Sequence, residues 1–112
     1  MKNMFLIVLS LFSISSFALE NLALRVRVMG KEMSPDPDFT EKVLQVVAHS
    51  FGTVEKIHVE ARGEEGGQTL CLETSPLRKD VFERYTVKKF EALKTQVPAD
   101  TEYSLEPLSR CP

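Results

Sequence analysis

The sequence predicts an α+β domain, a layer of helices over a layer of strands, with its elements in the order strand, helix, strand, strand, helix, strand. Three observations carry this expectation. Two-residue alternation of apolar and polar side chains runs through residues 22–29, 54–61, 68–74 and 101–108, which is the pattern of half-buried strands. Apolar positions recur at helical spacing over residues 39–51 and again over 76–97. The chain has 112 residues, 43% hydrophobic and 27% charged, enough apolar material for one core and too little length for two domains.

The elements follow one another with recognisable punctuation. In the first strand Leu22, Leu24, Val26 and Val28 fall on one side and Ala23, Arg25, Arg27 and Met29 on the other. The stretch Ser34-Pro35-Asp36-Pro37-Asp38 forbids regular pairing and offers Asp36 or Asp38 as a helix cap, Asp38 with Glu41 having the spacing of a capping box. The helix that follows places Phe39, Val43, Val46, Val47 and Ser50 or Phe51 on one face, and Gly52 is expected to stop it in a left-handed conformation. Next, Ile57, Val59 and Ala61 alternate with Lys56, His58 and Glu60. A polar glycine-rich turn containing Glu64 and Glu65 leads to Leu70 and Leu72, which alternate with Cys71 and Glu73, and the whole reads as a hairpin. Ser75-Pro76 opens the second helix with a cap and a proline at the first helical position. Its apolar stripe is Val81, Phe82, Tyr85, Phe90, Leu93 and Val97, with the β-branched pair Thr86-Val87 leaving open a break there or a strand over 81–86. Pro98 ends it, and the last strand alternates Tyr103 and Leu105 with Glu102, Ser104 and Glu106, Pro107 marking it as an edge.

Ahead of these elements, Lys2 is followed by Phe5-Leu6-Ile7-Val8-Leu9 and then by Leu11, Phe12 and Ile14, diluted by serines. A charged start, an apolar middle and small residues at Ser16 and Ala18 are what a signal peptidase reads, so residues 1–18 are expected to be a signal peptide and 19–112 the single mature domain. The apolar run from Met4 to Leu19 is sixteen residues with four serines, short of the roughly 20 a bilayer requires, and stable membrane insertion after cleavage is not expected. The expected location is exported, either periplasmic or extracellular. Cys71 and Cys111 then enter an oxidising compartment as a pair with one possible partner each, and one disulfide is expected. No C-x-x-C exists to suggest a redox or metal-binding pair.

The βαββαβ order resembles, in architecture, the ferredoxin-like two-layer sandwich: a four-stranded antiparallel sheet with two helices on one face. No family motif accompanies that resemblance, which covers residues 22–110. It implies the strand order 4-1-3-2 and an open sheet face bearing the columns Glu102, Ser104, Glu106; Arg25, Arg27; Cys71, Glu73; and Lys56, His58, Glu60. Cross-strand pairs of opposite charge would balance that face, with Glu73, Glu102 or Glu106 as the expected partners of the arginines.

Several functions of such a fold are excluded by residue type. Base stacking would need aromatics where Arg25, Arg27, Cys71 and Glu73 stand, and a formal net charge of −2 further argues against nucleic acid. The loop after the first strand has no cysteine for metal delivery, and it carries Glu32, Asp36 and Asp38, which repel the phosphate that an acylphosphatase-like loop would cradle. The only histidines are His49, read as a helix-end surface residue, and His58, beside Lys56, whose charge opposes a metal. No metal, no cofactor and no catalytic residue is therefore predicted. The expectation is an exported non-enzymatic binding domain stabilised by Cys71–Cys111, meeting a protein partner through the open face or a sheet edge, with Arg25, Arg27 and His58 as candidate contacts. The alternative, from another class, is a small periplasmic ligand-binding or hydrolytic enzyme using those same three side chains.

Overall fold

The strand Ala23–Gly30 (β1) lies inside the sheet, where alternation turns directly into burial: Leu24, Val26 and Val28 are at most 3% exposed. The computed structural model describes residues 21–62 and 67–112. The expected signal peptide and the turn with Glu64 and Glu65 lie outside the described residues. β1 ends at Gly30 because the loop doubles back so closely that a Cβ there would overlap the Met33 carbonyl oxygen.

The helix α1 (Pro37–His49) begins as proline at the first turn favours, with the Asp36 carboxylate accepting the Phe39 N–H at 2.9 Å. Asp36 is the cap. Asp38 lies inside the first turn, so the expected capping box around it does not form. The cap is also tied to the far end of the sequence, since the Asp36 N–H donates to Thr101 Oγ1 at 2.9 Å. Phe39 and Val43 are buried, while Phe51 is 66% exposed. Gly52 does not adopt the expected left-handed conformation. Ser50 closes the helix instead: its N–H donates to the Val47 carbonyl, its hydroxyl to the Val46 carbonyl, and its own carbonyl accepts from the Thr53 and Val54 N–H groups.

Three further strands, Lys56–Arg62 (β2), Gln68–Glu73 (β3) and Thr101–Leu108 (β4), complete a four-stranded sheet in the order β2-β3-β1-β4. Every pairing is antiparallel. Pro107 accordingly sits on an edge strand, as its missing N–H requires. In β2 the register slips between Val59 and Ala61. Ala61 thereby pairs with Thr69, the partner of Arg27, and joins the outward face, whereas unbroken alternation places it inward. Val59 is 49% exposed, so only Ile57 of the expected inward trio packs against the core.

The second helical run is continuous over residues 76–96 (α2) but changes pitch. It is 3-10 over Pro76–Arg78, α over Lys79–Val81, π over Phe82–Val87, α over Lys88–Ala92 and 3-10 over Leu93–Gln96. Thr86 and Val87 neither break it nor form a strand. Phe82, Thr86, Phe90 and Leu93 are its buried residues. Val81 and Tyr85, expected in the stripe, are exposed, because the wider π turn re-aims the side chains around it. One apolar cluster joins Leu24, Val26, Val28, Leu70 and Leu72 of the sheet to Phe39 and Val43 of α1 and Phe82, Phe90 and Leu93 of α2.

Tyr103 of β4 closes this cluster. Its ring stands edge-on to Phe39 with centroids 5.1 Å apart, and its hydroxyl donates to the Phe90 carbonyl at 2.7 Å. Burial pushes the phenol well above its ordinary pKa. The folded state therefore holds the proton more tightly than the unfolded chain does. The stability this contributes is complete below the unfolded value of about 10 and is lost as pH rises beyond it. Tyr103→Phe should cost about 1 kcal/mol in urea titration at neutral pH, and it should flatten the fall in stability above pH of about 10. Asp36→Ala should cost about 1 kcal/mol by loss of the cap, read in the same titration.

Candidate functional site

The sheet face turned away from the helices is ordered by the strand register. Across it lie three rows: Lys56, Glu73, Ala23 and Leu108; His58, Cys71, Arg25 and Glu106; Ala61, Thr69, Arg27 and Ser104. Antiparallel partners share a face, so period two in β1 places Arg25 and Arg27 on adjacent rows. Arg25 and His58 share a row with Cys71 between them.

Arg25 is held from both sides. Its Nε donates to the Glu60 carboxylate at 3.0 Å and its Nη1 to Glu106 Oε1 at 2.6 Å. The Glu106 pair is a direct cross-strand contact of the expected kind. The Glu60 pair spans β3 entirely. It forms where β2 bulges, over a strand whose outward residues at this level are the short Thr69 and the disulfide-tied Cys71. The hydrogen bonds that Arg25 donates to Glu60 first, then to Glu106, raise its pKa above the ordinary value. Glu60 was not anticipated as the partner, because alternation reveals which face a residue occupies but not that a bulge shifts it toward a strand two places away.

Cys71 and Cys111 form a disulfide with their Cα atoms 5.9 Å apart. Cys71 lies on β3 whereas residues 109–112 follow β4, so the C-terminal segment must pass over β1 to reach it. On the way the Leu22 N–H donates to the Ser109 carbonyl at 3.2 Å. The Cys111 N–H donates to Glu73 Oε1 at 2.8 Å, and Arg110 stands 3.8 Å from the other Glu73 oxygen. This strap corrects the expectation of a fully solvated face. Ala23, Cys71 and Glu73 point outward yet are buried beneath it. Glu73 serves the strap, and Arg25 does not pair with it.

Arg27 is exposed at the open end of the face, and His58 and Lys56 are exposed on the edge strand β2, Lys56 at the outer end of the row the strap covers. Among the described residues Arg27 makes no ion pair, and its neighbours in register are the hydroxyl-bearing Thr69 and Ser104. Three positively charged or ionisable groups thus surround an Arg25 already occupied by two carboxylates. His49 lies elsewhere, exposed near the end of α1 with Nδ1 2.7 Å from the Gln45 carbonyl oxygen. Among the described residues no three of His, Cys, Asp and Glu converge as metal ligands, and no helix is long and apolar enough to cross a membrane.

The chain matches no protein-family model, and no curated protein shows significant sequence similarity to it. The α+β fold and the disulfide therefore rest on the molecule itself.

Closing a loop of 40 residues should stabilise the domain by roughly 4 kcal/mol on the chain-entropy estimate. The double change Cys71→Ala with Cys111→Ser should lose about that much in chemical denaturation, and residues 109–112 should become digestible by a carboxypeptidase. Retention of the full stability would show that the strap is held by its hydrogen bonds alone.

Proposed function

We propose that this is an exported, non-enzymatic interaction domain of ferredoxin-like architecture that meets a protein partner through the open end of its sheet face. The strand order β2-β3-β1-β4 and a single cluster joining both helical runs to one side of the sheet support the architecture. A disulfide supports an oxidising compartment, periplasmic or extracellular. The leader of residues 1–18 supplies the route.

The observation that carries the binding role is the Glu60–Arg25–Glu106 brace. It ties β2, β1 and β4 together across the face, on which Arg27, Lys56 and His58 are exposed. A surface so held needs little ordering when a partner arrives, which lowers the entropic cost of association. Arg27 beside Thr69 and Ser104 offers a planar cation with hydroxyl donors on either hand, suited to a carboxylate of the partner. The same brace disfavours a hydrolytic role. The two carboxylates neutralise the charge Arg25 could otherwise offer a developing anion, and among the described residues no carboxylate is hydrogen-bonded to His58 to orient its ring.

The test places a photo-crosslinking residue at position 27 or 58 and, as control, at position 84 on α2, in the exporting cell. The face positions should give one discrete adduct that the control lacks. Arg27→Ala should then weaken capture of that adduct partner by about tenfold or more. Equal labelling from all three positions would refute the reading.

A further inference from the structure

The two edges of the sheet are not alike. β4 carries Pro107, which has no N–H to donate to a further strand. β2 has no proline, and among the described residues no strand pairs with its outer side, so a row of backbone N–H and C=O groups faces outward there. The helix layer also stops short of this edge. Val59 is paired with the buried Leu70 and so lies on the helix side, yet it is 49% exposed. On α1, Val43 is buried in the core and Lys42 reaches Gln96 of α2 at 3.0 Å. One residue further round the helix, Leu44 therefore occupies the flank turned away from α2, and it is 41% exposed. That flank is the one toward β2, because α2 stands over β1 and β4, with Phe82 and Val87 beside Leu24 and Pro107. Phe51, in the turn between α1 and β2, is exposed as well. An unpaired backbone edge is thus bordered by apolar side chains.

We infer that β2 pairs antiparallel with β2 of a second copy of this chain, about a two-fold axis at His58. The order Lys56-Ile57-His58-Val59-Glu60 is complementary to its own reverse. Centred on His58, the pairing sets Ile57 opposite Val59 twice on the helix side and Lys56 opposite Glu60 twice on the open side, with the two His58 residues facing each other. The neighbouring registers do not match. Centring on Val59 sets Ile57 of the helix side against Ala61, which the bulge has moved to the open side, and centring on Ile57 sets Glu55 against Val59. A lysine and a bulge on an edge strand ordinarily discourage such pairing. Here the bulge follows Val59 and leaves Lys56 to Val59 in regular register, while the lysine meets a carboxylate. Each Glu60 oxygen accepts one bond from Arg25 Nε, and a carboxylate has about four lone-pair sites, so an ammonium can be added. Across the axis the Leu44 and Val59 flanks of the two copies approach, withdrawing from water the apolar surface that one copy leaves exposed. The pairing lies in the plane of the sheet, so Arg27 and the brace stay uncovered, and it goes beyond the partner reading without depending on it.

The experiment uses the exported protein purified with its disulfide intact and no other protein present. Sedimentation at rising concentration should approach the mass of two copies, and backbone amide exchange within residues 56–59 should slow in parallel. Lys56→Glu, which sets carboxylate against carboxylate, and Val59→Lys, which charges the apolar flank, should each weaken self-association by about tenfold or more. Both positions are exposed, so the fold should be kept, as circular dichroism checks. Tyr85→Glu, on the exposed side of α2, should leave self-association unchanged. A protein that keeps the mass of one copy at every concentration overturns the proposal. So does a dimer that survives Val59→Lys, that shows no slowing of exchange in residues 56–59, or that is lost on Tyr85→Glu, which would place the contact on α2 instead. Capture of a different partner through Arg27 is read by the crosslinking test and stands or falls apart from these outcomes.

Discussion

The return of the C-terminus across β1, fastened by Cys71–Cys111, is the constraint on which the rest of the sheet face depends. A bond between the residue before the last one and a buried position two strands in from the β4 edge obliges the intervening chain to lie on the face rather than trail from it. Everything beneath that path loses water. Ala23 becomes a buried residue on what alternation marks as a solvent-facing position, and Glu73 becomes a buried carboxylate. A buried carboxylate is costly unless its oxygens are satisfied. The strap that buries Glu73 supplies the remedy, through the Cys111 N–H and Arg110.

With one end of the face closed, the functional character of the other end is set by Arg25. Its two carboxylate partners come from opposite edge strands, so the brace ties β2 to β4 over the two strands between them. On the helix side a polar cluster makes a comparable connection. Thr53 and Thr86 share a hydrogen bond, and the Thr74 hydroxyl donates to the Thr53 carbonyl at 2.8 Å. That joins the end of β3, the approach to β2 and the π turn of α2. Buried hydroxyls at Thr74 and Thr86 are tolerable because each has a partner.

The elements were largely legible in the amino-acid order because burial on one side of a strand or helix imposes a period on the sequence. β1 shows this most clearly, and the disulfide followed from two cysteines with a single possible pairing. The candidate site was legible only in part. Arg25 and Arg27 were placed on the correct face and Glu106 among the expected partners. Glu60 was missed as a partner, and Glu73 was misread as solvated. Both errors have one source: a period identifies a face, whereas contact across two strands depends on register, on a bulge and on what another segment lays over the surface. Val81 and Tyr85 were misplaced for a related reason, since a π turn changes the helical angle without leaving a distinct residue signature.

By itself the sequence determined the order of the strands and helices, the inward apolar positions of β1, β3 and the first turns of α1, and the pairing of its two cysteines. Each of these is a local or combinatorial property, decided by hydrophobic period, turn residues or counting. Tertiary structure alone decided that Asp36 and not Asp38 caps α1, that Ser50 and not Gly52 ends it, that Glu60 reaches Arg25, and that residues 109–111 lie over Ala23, Cys71 and Glu73. Each of those outcomes depends on distances between segments remote in sequence, and such distances exist only after the layers have packed.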